Sequence, residues 1–134
     1  MQIKVLGSSS AGNGYIVEDG DRTVVLEAGF PVAEVLKRSN NVPDLLFVSH
    51  EHQDHAKYVS EYVDAGIGVV TSDECANSIG LSFVDRVKSS DVYTERVMHD
   101  PSITTECCVY TGEMGKVALL TDAREFEHFN ELTH

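Results

Sequence analysis

Apolar positions in the first third of the chain alternate with a period of two and are punctuated by turn residues. Ile3 and Val5 begin a short strand that runs into the small-residue loop Gly7-Ser8-Ser9-Ser10-Ala11-Gly12-Asn13-Gly14. Residues 15–18 and 23–27 are two β-branched runs on either side of Asp19-Gly20-Asp21, and they predict a hairpin. Pro31 suits a first helical position. Val32, Val35 and Leu36 then repeat at helical spacing until Asn40, Asn41 and Pro43 stop the helix. Leu45-Leu46-Phe47-Val48 is a continuous apolar run, the pattern of a strand covered on both faces.

The period changes after that run. Tyr58, Val59, Tyr62 and Val63 share one helical face, Gly66 ends the helix, and Ile67-Gly68-Val69-Val70 resumes as strand. Residues 73–91 show no clear period. Residues 92–98, 103–111 and 116–121 predict three further strands, the last two joined at Gly112-Glu113-Met114-Gly115. A polar helix is expected from about 124 to 132. Strands with interspersed helices imply an α/β (α+β layered) fold in which helices pack outside a sheet system. No repeat or Pro/Gly-rich linker divides the chain, so a single domain over residues 1–134 is expected.

Composition narrows the function classes. No apolar run approaches the ~18 residues that a membrane-spanning helix needs. Ten Lys and Arg against 22 Asp and Glu give a net charge of −12, which repels phosphate backbones and makes extended nucleic-acid binding unfavourable. The chain enters its first strand without a cationic, then hydrophobic, leader, so the cytoplasm is the expected compartment. Cys75, Cys107 and Cys108 have no CxxC spacing and read as reduced structural thiols.

The chemistry is concentrated in Ser49-His50-Glu51-His52-Gln53-Asp54-His55, where three of the six histidines fall within six positions. At this composition the pattern HxHxDH is expected by chance roughly 0.0009 times in a chain of this length. While the chain leaves the strand extended, His50 and His52 share one side and can ligate one ion. As it turns into the following helix, Asp54 and His55 take a neighbouring direction and can hold a second. The spacing differs from the HExxH zinc-protease arrangement, because Asp54 stands where the second histidine of that motif would be.

His50-Glu51-His52-Gln53-Asp54-His55 and its preceding strand resemble the HxHxDH signature of the metallo-β-lactamase superfamily. Leu6-Gly7-Ser8-Ser9-Ser10-Ala11-Gly12-Asn13, followed by a hairpin ending Leu26-Glu27-Ala28-Gly29, is similar to the start of that fold, especially in its phosphodiesterase-like and exonuclease-like branch. The resemblance implies an αββα sandwich. His99 is placed like the family's third histidine, and Asp122 like the aspartate that bridges two metals. On that basis His50, His52 and His99 would bind one ion, Asp54 and His55 the other, and Asp122 would bridge both. Two zinc ions are the first choice, with manganese or iron as alternatives for such an N/O ligand set.

The implied activity is hydrolysis of a small anionic ester or phosphodiester by a metal-activated water, with Asp54 as a catalytic residue that orients the nucleophile. Two departures stand out. Glu27 replaces the shorter carboxylate of the usual Asp-Ala-Gly strand end, a position behind the ligands. Only 12 residues follow Asp122, and neither His128 nor His134 matches the family's further C-terminal histidine. An incomplete sandwich, or one completed in a homodimer or higher oligomer, is therefore expected. The alternative from a different class is a non-catalytic metal-binding or interaction module.

Overall fold

Strands that are apolar at every position must be covered on both faces, and alternation sends successive side chains to opposite covers. The computed structural model describes residues 1–39, 41–82, 84–87, 92–100, 103–112 and 115–119. The first sheet runs β1 (Gln2–Ser9), β2 (Gly12–Asp19), β3 (Arg22–Leu26), β4 (Leu45–Phe47), β5 (Gly68–Val70), in that spatial order. Pairing is antiparallel from β1 to β3 and parallel from β3 to β5. Helices α1 (Val32–Arg38), α2 (Gln53–Ala56) and α3 (Val59–Asp64) fall between the parallel strands, and α4 (Asp73–Ile79) follows β5.

The alternation separates two apolar clusters. Ile16, Val25, Leu46 and Val69 face the helices and pack with Val35, Val59, Tyr62 and Cys75. Their neighbours Val17, Val24, Leu26, Leu45, Phe47 and Val70 face the other way. Each fully buried aliphatic side chain contributes about 1.5–3 kcal/mol to this arrangement. The second face meets Val117 and Leu119 of an antiparallel sheet formed by β6 (Val92–Asp100), β7 (Ile103–Gly112) and β8 (Gly115–Leu119). The described layers are thus helix, sheet, sheet. The helix expected at 124–132 lies outside the described residues.

Two expectations change. The small-residue stretch after Val5 is mostly strand, because β1 continues to Ser9 and pairs through Ser9↔Gly12 after a bulge between Val5 and Gly7. Its glycines serve packing: a Cβ on Gly7 would stand 2.5 Å from Phe30 Cζ, so the Phe30 ring lies where a side chain would be. The second change is α4, whose only apolar positions are Cys75, Ala76 and Ile79. It is set by its ends, where Ser72 accepts from the Cys75 amide and Gly80 adopts φ 71°.

β1 leaves one apolar strip uncovered. Ile3 pairs with Val17 and Val5 with Tyr15, which places both on the inter-sheet side, yet they remain 51% and 54% exposed. No helix of the described residues is long and apolar enough to cross a membrane.

Candidate metal centre

The site forms at the carboxyl ends of β3, β4 and β5, where parallel strands splay and loops can converge. The β3–β4 ladder extends one step past the strand, with Glu27 N–H donating to Phe47 O at 2.7 Å. Glu27 then adopts φ 74°, a left-handed conformation uncommon outside glycine. The β4 strand likewise extends through Val48, whose N–H reaches Val70 O at 3.0 Å, and delivers Ser49 and His50 into the interior. Both are fully buried.

The main chain holds the surrounding segments together. Ala28 N–H donates to His55 O at 2.7 Å, Tyr58 N–H to Ala28 O at 3.0 Å, and Gly29 N–H to Asn13 O at 2.9 Å. Gly29 allows this contact, since a Cβ there would lie 2.3 Å from both Asn13 N and Asp54 O. The start of β2, the end of β3 and the helix α2 are thereby fixed against each other.

Glu27 organises the buried histidines. Its carboxylate accepts from Ser49 N–H at 2.7 Å, from Ser49 Oγ–H at 2.6 Å, and from His55 Nδ1–H in a very short contact. Ser49 Oγ is also 2.8 Å from His50 Nδ1. A hydroxyl has one proton, and Ser49 commits it to the carboxylate, so it accepts from His50 Nδ1–H. One carboxylate therefore places the proton on Nδ1 of both imidazoles, His55 directly and His50 through Ser49, and makes Nε2 the lone-pair nitrogen of each.

The ligand-type side chains gather on the other side of His55. Asp54 Oδ2 is 3.2 Å from His55 Nε2. The His50 ring centroid is 4.7 Å from that of His52 and 4.3 Å from that of His55. Spacing along the chain sends His50 and His52 in one direction and Asp54 and His55 in another. In the fold, His50 adjoins both partners, and the four residues form one cluster. Glu27, His50 and His55 also offer ligand atoms within 4.8 Å of one another. Glu27, however, sits behind His55 on its Nδ1, where its carboxylate would orient a metal-binding imidazole.

This donor set fits a divalent ion. Two ligands of a tetrahedral zinc, each at about 2.0–2.1 Å, stand roughly 3.3 Å apart, close to the Asp54–His55 separation. Imidazoles whose far nitrogens are held by a carboxylate are the usual support for such ligands.

His99 lies within β6, at the irregularity between Met98 and Asp100, rather than beyond the strand as its spacing suggested. Asp122, His128 and His134 lie outside the described residues. Sequence reasoning missed the roles of Ser49 and Asn13. Ser49 is a polar residue closing an apolar run, and Asn13 sits inside a run of small residues, so neither stands out from its neighbours in sequence. Beneath the centre, burial pushes the Cys75 thiol up to about 11, with a hydrogen bond from Thr71 opposing the shift and Glu51 and Glu27 adding to it.

No protein-family model and no curated protein sequence matches the chain. Solved structures do. The metallo-β-lactamase fold protein YhfI from Bacillus subtilis superposes with a TM-score of 0.73 at 14% identity over 97% of this chain. The chain has the metallo-β-lactamase fold. The short form of human tRNase Z shares this fold with a TM-score of 0.61 at 11% identity, over 90% of this chain and 68% of that one. The metallo-β-lactamase FIM-1 from Pseudomonas aeruginosa, in its mono-zinc form, gives 0.55 at 14% over 81%. The chain spans 65% of the length of YhfI and 64% of FIM-1. Within the metallo-β-lactamase fold, the resemblance drawn from the HxHxDH motif holds at the level of architecture.

Proposed function

We propose that the chain is a metal-dependent hydrolase acting on an ester or phosphodiester. The observation that carries this reading is the cluster of His50, His52, Asp54 and His55 at the end of β4, backed by the buried Glu27 carboxylate. His50, His52 and His99 would hold one ion, Asp54 and His55 another, and Asp122 would join the two. Bound zinc, or manganese or iron in its place, supplies an activated water and a positive centre facing the substrate oxygen. Glu27 and Ser49 keep the imidazole lone pairs directed to the site. Asp54 accepts a hydrogen bond from the attacking water and orients it.

The substrate class is a small anionic ester or phosphodiester, approaching locally against the charge of −12. A groove of about 440 Å³ opens beside Glu51 and Gln53, but Glu51, Asp64 and Asp85 line it against Lys57 alone, so it does not suit an anionic group. The likeness to a protein named tRNase Z supports the phosphodiester option. We further propose a cytoplasmic homodimer or higher oligomer that covers Ile3 and Val5. Sedimentation velocity at micromolar concentration checks this, and a well-folded monomer refutes it.

The test of function combines metal analysis of the purified protein with hydrolysis of bis(p-nitrophenyl) phosphate. Bound divalent metal and turnover abolished by Asp54→Ala are expected. Absence of metal, or turnover unaffected by Asp54→Ala, overturns the proposal. One tightly held ion without turnover would instead assign a non-catalytic metal-binding module.

A further inference from the structure

Asn13 is 8% exposed, and its side chain is directed at the ligand cluster rather than at solvent. Its Nδ2 lies 3.1 Å from Asp54 Oδ2 and 3.4 Å from His55 Nε2, the same two atoms that stand 3.2 Å apart. It also lies 3.0 Å from Ser9 O and 3.3 Å from Asp54 O. Four electron-pair donors from two segments, β1 and α2, therefore converge on one nitrogen that carries two protons. Because His55 keeps its proton on Nδ1 against Glu27, its Nε2 can only accept.

An amide can in principle reverse and offer its oxygen to a cation. Here two backbone carbonyls forbid it: reversal would set Oδ1 against Ser9 O and Asp54 O at 3.0 and 3.3 Å. The backbone of Asn13 is equally fixed, through Gly29 N–H to Asn13 O and the absent Cβ of Gly29. The protonated face of the amide is thus built to point at Asp54 and His55.

We propose that Asn13 is a resident competitor for the second metal position, its amide protons satisfying the lone pairs of Asp54 and His55 that an ion would otherwise take. The chain then binds a first ion tightly and a second only by displacing Asn13. This rests on the metal reading above. It adds a residue that sets stoichiometry and that no ligand motif contains.

The experiment is a titration of metal-free protein with cobalt(II) and zinc(II) against a chromophoric chelator, for the wild type, Asn13→Ala and Asn13→Asp. The wild type should take one equivalent tightly and a second at least tenfold more weakly. Both variants should tighten the second equivalent at least tenfold while leaving the first within about twofold. Asn13→Asp keeps the shape of the side chain, so it carries the test if the alanine variant does not fold. Its carboxylate beside Asp54 should also lower the metal-free melting temperature and enlarge the rise on adding zinc.

Two equally tight equivalents in the wild type, or second-site constants unchanged in the folded variants, overturn the inference and leave the metal reading intact. Failure of every protein to bind metal overturns both.

Discussion

Replacing Glu27 by Gln removes one charge and leaves the shape of the buried network almost unaltered. The retained amide oxygen can still accept from Ser49 N–H. The new NH2 group, however, would face Ser49 Oγ–H and His55 Nδ1–H, both of which donate in the native fold. Ser49 can accept from that NH2 only by turning its own proton away, which forfeits its bond to the charged acceptor. His55 can adapt only by moving its proton to Nε2, toward Asp54 and Asn13.

Two bonds to a charged acceptor are lost at about 1.5–3 kcal/mol each, and weaker neutral bonds recover about 1 kcal/mol apiece, which leaves a net destabilisation of about 1–4 kcal/mol. For a chain of this size that lowers the melting temperature by about 10 °C. Urea denaturation with chelator present should show the loss as a reduced midpoint at unchanged slope. Zinc affinity should fall about 10- to 100-fold, because the His55 lone pair is no longer held at Nε2. Stability within about 0.5 kcal/mol of the wild type, together with unchanged zinc affinity, would refute the tautomer argument.

Two further outcomes follow from the packing. Gly29→Ala should destabilise by at least about 3 kcal/mol, or abolish soluble expression, because its Cβ would meet main-chain atoms on both sides at 2.3 Å; a melting temperature near that of the wild type would show that the two segments can separate. The raised Cys75 value means the fold binds that proton more tightly than the unfolded chain does. Its stabilisation is therefore complete below pH 9 and is lost as pH rises from 9 through 11, at about 1.4 kcal/mol per pH unit. Cys75→Ala should flatten that part of the stability profile, while Tyr62, raised by burial, contributes equally to both proteins. Identical slopes would show that Cys75 ionises normally in the fold.

Hydrophobic patterning made β2 to β5 legible because those strands are buried. Val24-Val25-Leu26 and Leu45-Leu46-Phe47 have no polar face, and the two clusters that divide them explain why. Where an element is fixed by its ends, as α4 is by Ser72 and Gly80, the pattern is silent. Likewise, Gly7 reads as a flexible loop residue until the Phe30 ring above it is seen. The cluster of His50, His52, Asp54 and His55 was legible as a motif, because its members lie close together in sequence. Its support was less so. Glu27 and Asn13 reach it from 28 and 42 positions away, through contacts that only the packed sheet brings together.

The left-handed backbone of Glu27 places two independent demands on one codon. Glycine would meet the conformational demand but delete the carboxylate. Aspartate or asparagine would tolerate φ 74° but fall a methylene short of Ser49 and His55. Glutamine would reach but carry protons where acceptors are needed. A saturation library at this position, sorted for folded and zinc-binding protein, should therefore return an isolated optimum with no neighbouring residue type to pass through.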